Sequence, residues 1–110
     1  MDPIKRVERM EELLNAAAKA VRHTDAALSE LLLAKEGLRE LEAYYCDGEW
    51  MEDFRRDEAG LFPEDLRRGV LSEDAMYDLL SDRDEVVRKM RSFLNEEKEE
   101  SGEEGHALTE

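Results

Sequence analysis

The chain is predicted to be all-α. It should form a long N-terminal helix, a connector of short helices and an antiparallel C-terminal helix. This is a helical hairpin or coiled-coil-like bundle, followed by a disordered acidic tail. Three observations predict it. A seven-residue apolar repeat runs through the first forty residues. Charged residues make up 42% of the chain and aromatics only 6%, the balance of a long-helix protein. Only two prolines occur in 110 residues, and no stretch shows the alternation of a strand.

The first helix has a defined start. Asp2 is placed to cap it, and Pro3 stands at the first helical position, where its missing N–H costs nothing. Val7, Leu14, Val21 and Leu28 fall on one row, and Met10, Ala17, Thr24, Leu31 and Leu38 on the other. This is the a/d seam of a coiled coil. The stripe continues through Leu41 to Tyr45, and Asp47-Gly48 supplies the stop. An unbroken helix of that extent is roughly 65 Å long. Leu31-Leu32-Leu33-Ala34 is apolar almost all round, so the thickest core is expected near Leu32.

A short helix begins at Glu49, with Trp50, Met51 and Phe54 on one face and Gly60 as its end. Pro63 opens a single turn over Glu64-Asp65-Leu66, which Gly69 ends. Ser72 then caps the C-terminal helix, with Leu71 and Met76 positioned as a hydrophobic staple. Its buried stripe is expected to run from Met76 through Leu79, Leu80, Arg83, Val86, Val87, Met90 and Phe93 to Leu94. Residues 1–95 therefore read as one helical domain. Residues 96–110, EEKEESGEEGHALTE, lack the apolar content to order themselves.

A returning helix of roughly 24 residues covers only about Val21 to Tyr45 of the first. Ile4, Val7, Met10, Leu14 and Ala17 are left without cover from their own chain. An exposed apolar stripe marks an interaction surface, and the simplest cover is a second copy in a two-fold dimer. The competing reading breaks the helix near Thr24, where Thr24-Asp25 could cap a new one, and yields a monomeric three-helix bundle.

The formal net charge is −14, from 30 acids and 16 bases. That argues against nucleic acid and anionic membrane as partners and favours a basic protein surface. Residues 96–110 carry 7 of the acids and one base, so the tail supplies −6 of that charge. Cys46 is the only cysteine, which rules out an intrachain disulfide and points to a reducing, cytoplasmic setting. No signal segment or membrane-length apolar run is seen.

The carboxylates invite a second reading. Glu49, Glu52 and Asp53 on one helix and Asp74 and Asp78 on another could hold Mg²⁺ or Mn²⁺, giving a divalent-metal-dependent hydrolase acting on nucleotides. Glu49-x-x-Glu52 matches the first half of the Glu-x-x-Glu…Glu-x-x-Asp pattern of all-helical nucleotide pyrophosphatases. The second half fails, because Met76 stands three residues after Glu73. Solvated helix faces explain these acids more simply. His23 and His106 provide no base for Cys46 or Ser72, so no nucleophilic site is expected. Cys46 reads as a small packing residue, and Met10, Met51, Met76 and Met90 as core. Arg55-Arg56 and Arg67-Arg68 are expected to pair with Asp57, Glu64 or Asp65. Tyr44, Tyr45, Trp50 and Phe54 form an aromatic cluster that is either a small core beneath the connector or an anchor for a partner.

The pair Tyr44-Tyr45, the segment Trp50 to Phe54, the stretch Asp65 to Asp74 and the pair Tyr77-Asp78 carry a resemblance. Over residues 4–94 the chain resembles a bacterial family of small acidic proteins, domain of unknown function 4298. The resemblance implies a bacterial source and no activity. The expected function is a protein-interaction or structural module, not an enzyme, with no cofactor or metal. Its expected partner-binding residues are Ile4, Val7, Met10, Leu14, Tyr44, Tyr45, Trp50 and Phe54.

Overall fold

The structure is a computed structural model that describes residues 2–102. Among them are four α-helices and no strand: α1, Pro3–Leu33; α2, Lys35–Cys46; α3, Glu49–Glu58; and α4, Glu73–Glu100. A short 3₁₀ helix, Gly69–Leu71, precedes α4. The chain forms two compact units, Met1–Glu40 and Leu41–Glu110.

In the first unit, Asp2 takes the N-cap position with extended backbone and Pro3 follows at the first helical position. The Asp2 side chain makes no capping bond; its carbonyl accepts the Arg6 N–H at 2.9 Å instead. α1 then runs unbroken through His23, Thr24 and Asp25, which overturns the break considered there. The absence of any phase shift in the apolar rows favours that continuity.

The expected single helix to Tyr45 is instead interrupted for one residue. Ala34 has φ −85° and ψ −1°, and its N–H is shared between the carbonyls of Glu30 and Leu31 at 3.0 and 3.1 Å. Helical bonding resumes with the Leu38 N–H on the Ala34 carbonyl. Gly37, the weakest helix former in the region, lies just beyond and lowers the cost of this slip. No residue of α1 is buried. The thick core expected around Leu32 is absent: Leu32 is exposed and Leu33 is 88% exposed. A helix cannot cover its own stripe, and the first unit holds only α1 and the start of α2.

The second unit contains the core, centred on Trp50, Leu71 and Met76. Gly48 makes the corner between α2 and α3 with φ +99°, a conformation that costs a residue with a Cβ. α3 closes on a Schellman motif: Gly60, φ +74°, donates to the Asp57 carbonyl, and the Leu61 N–H reaches the Arg56 carbonyl at 3.1 Å. The Pro63 turn is present, with the Leu66 N–H on the Pro63 carbonyl at 3.2 Å. Gly69, expected to end that turn, instead opens the 3₁₀ helix. Ser72 occupies the N-cap of α4 without a side-chain capping bond. The staple pair is buried, Leu71 and Met76 together in the core.

α4 starts back along the last turns of α2. Leu80 packs against the core that Leu41 and Tyr45 also border, and the Arg83 guanidinium lies 3.5 Å from the Glu42 carboxylate. Along α4 the apolar stripe loses cover. Leu79, Leu80, Val87 and Met90 are half-buried, whereas Val86, Phe93 and Leu94, expected to be buried, are exposed. α4 continues past Asn95 to Glu100, because Glu and Lys sustain a helix and no glycine intervenes before Gly102. The expected disorder of residues 103–110 lies outside the described residues.

Candidate functional site

Two sets of residues were expected to meet a partner, one in each unit. In the second unit, Tyr44, Tyr45, Trp50 and Phe54 come together. Trp50 is 5% exposed. Its ring stacks on Phe54 at a centroid distance of 5.1 Å and meets Tyr45 edge-on at 5.2 Å. Its indole N–H donates to the Val70 carbonyl at 2.7 Å, satisfying the polar end of the ring inside the core. Trp50 is therefore buried among its own neighbours, with one ring stacked on it and a second edge-on. Tyr44, Tyr45 and Phe54 are half-buried around it. Met51 and Cys46, expected to pack, are exposed; Met51 follows buried Trp50 and Cys46 follows half-buried Tyr45, each one residue out of phase.

The Tyr44 hydroxyl donates to the Asp53 carboxylate at 2.8 Å, and Arg56 holds the other Asp53 oxygen at 2.8 Å. Partial burial, the Asp53 bond and the charges of Asp53 and Glu49 push the Tyr44 hydroxyl up to about 12 from its usual 10.0. A raised value favours the protonated folded form. The contribution of this contact is complete below pH 10 and is lost as pH rises through about 12. Difference titration of tyrosinate absorbance between the wild type and Tyr44→Phe should show one group titrating near 12. A midpoint at 10 would mean that the bond to Asp53 is not made.

The connector loop is held by Arg68. Its guanidinium pairs with Asp57 of α3 and also donates to the carbonyls of Pro63 and Leu66. Arg68→Ala should cost about 1.5–3 kcal/mol, the range for charge-assisted bonds to partly buried groups, read from the urea midpoint. Arg68→Lys should recover little, because an ammonium cannot span three acceptors as a planar fork does. Asp57 was foreseen as a possible arginine partner. The loop carbonyls were not, because only the folded loop places them around one guanidinium.

The acids suspected of metal binding are dispersed. Glu49 and Glu52 lie exposed in the first turn of α3, and Asp53 is engaged by Tyr44 and Arg56. No group of three or more potential ligands comes together among the described residues. A shallow groove lined by Tyr45, Tyr77, Leu80, Ser81 and Asp84 lies beside the core. The sequence held no signal for it beyond the spacing of Tyr77, Leu80 and Ser81 on one helix.

In the first unit, Ile4, Val7, Met10 and Leu14 lie on α1, with Val7 63% and Leu14 60% exposed. The exposed face is broader than expected: Leu13, Val21 and Leu28 belong to it as well. Leu13 flanks the seam next to Leu14, and the heptad spacing already placed Val21 and Leu28 on it. No helix among the described residues is long and apolar enough to cross a membrane.

These features define a class: a small all-helical protein whose core sits under a short-helix connector and whose leading helix carries an uncovered apolar face. Residues 7–93 match a family described as a domain of unknown function, DUF4298, and the chain belongs to that family. No match was found among curated proteins or among solved structures.

Proposed function

We propose that the protein is a protein-interaction or structural module that forms a homodimer through the apolar face of α1 and offers an acidic surface to a basic protein partner. The observation that carries this reading is the uncovered row Ile4, Val7, Met10 and Leu14, continued by Val21 and Leu28. A contiguous apolar face on a charged helix is the usual mark of a helix–helix interface. The acidic partner surface rests on charge distribution. Residues 41–110 hold 22 acids and 9 bases, so that unit carries −13 of the net −14. Such a field speeds encounter with a basic partner and weakens with salt. A single cysteine, with no partner for an intrachain disulfide, favours a reducing, cytoplasmic setting. Sedimentation equilibrium at tens of micromolar should give twice the chain mass of 12.8 kDa. A monomer at that concentration overturns the dimer.

A further inference from the structure

The exposed face of α1 also bears on how two copies meet, an inference that rests on the dimer reading. We infer that the two α1 helices pair antiparallel, in full overlap, about a two-fold axis beside Ala18 and Ala20. Along the a row stand Val7, Leu14, Val21 and Leu28, and along the d row Met10, Ala17, Thr24 and Leu31. Antiparallel pairing sets each a residue against a d residue of the other copy. Because α1 spans Pro3–Leu33, the register with the greatest overlap places Val7 opposite Leu31, Met10 opposite Leu28, Leu14 opposite Thr24 and Val21 opposite Ala17. Where a small or polar residue occurs, a larger apolar one faces it. Such layers fill evenly, as packed interiors require.

Residues nearest a two-fold axis meet their own copies. In this register these are Ala18 and Ala20, which carry no charge to repel itself and no bulk to hold the backbones apart. Charge acts in the same direction. The −13 unit follows the C-terminal end of α1 in each copy. Antiparallel helices start these two units at opposite ends of a rod roughly 45 Å long, several Debye lengths apart. A parallel pair starts both at one end. It also stacks Ala17 on Ala17 and Thr24 on Thr24, and aligns the helix dipoles. Its one gain is an Arg6–Glu11 flank. The antiparallel pair in turn bears a Glu11–Asp25 flank, which is exposed and screened.

Disulfide trapping decides the orientation. In the full chain with Cys46→Ser, single Ala18→Cys and Met10→Cys variants are oxidised with glutathione disulfide, which accepts the two electrons and two protons released. Dimer mass is measured beforehand under reducing conditions. The expected result is that most of the Ala18→Cys variant becomes covalent dimer while Met10→Cys stays uncoupled. Coupling of Met10→Cys alone, of both variants, or of neither while the reduced chain sediments as a dimer overturns the antiparallel register and leaves the dimer standing. A reduced chain that sediments as a monomer overturns both.

Discussion

Trp50→Ala should destabilise the protein by about 3–5 kcal/mol, the cost of truncating a large core aromatic. Three losses combine. The cavity left by the indole strips contacts from Phe54, Tyr45, Leu71 and Met76, its partners in the core. The edge-to-face and stacked ring pairs disappear. The Val70 carbonyl also loses its donor. Trp50→Phe separates these terms, because it keeps a ring and removes only the N–H and part of the volume. It should cost about 1–3 kcal/mol, the range for an unsatisfied buried acceptor. Urea denaturation followed by helicity measures both. An alanine variant with an unchanged midpoint would show that the ring contributes nothing to this core.

The second large effect concerns association. Val7→Asp with Leu14→Asp places two carboxylates on one row of the α1 face, doubled to four in a two-fold pair. Burying an unpaired carboxylate is costly enough that the chains should separate rather than accept it. The expected outcome is a shift from dimer to monomer mass in sedimentation, with helicity of the second unit retained. Neither residue is buried in its own chain, since both are more than half exposed. A variant that stays dimeric would place the interface elsewhere.

Much of the backbone was legible in the residues. The Pro3 start, the Gly48 corner, the Gly60 stop and the Leu71–Met76 staple all depend on contacts within about six residues, and each is found where its pattern stands. What the residues could not show was which apolar positions are covered. Leu31-Leu32-Leu33 is the richest apolar run and was expected to lie deepest, yet Leu32 and Leu33 are exposed. Trp50 was open to both readings, core and anchor. Its burial turns on Val70, twenty residues away, whose carbonyl meets the indole only after the connector has folded back.

The sequence alone determined the all-helical class, the main helix starts, the charge asymmetry and the apolar face of α1. Each follows from periodicity, caps and composition, which act along the chain. Only the tertiary structure decided that the core forms around Trp50, Leu71 and Met76, that Arg68 ties α3 to the loop carbonyls, and that α4 loses cover beyond Met90. Burial belongs to pairs of surfaces rather than to single segments, and a stripe is buried only where a second surface meets it.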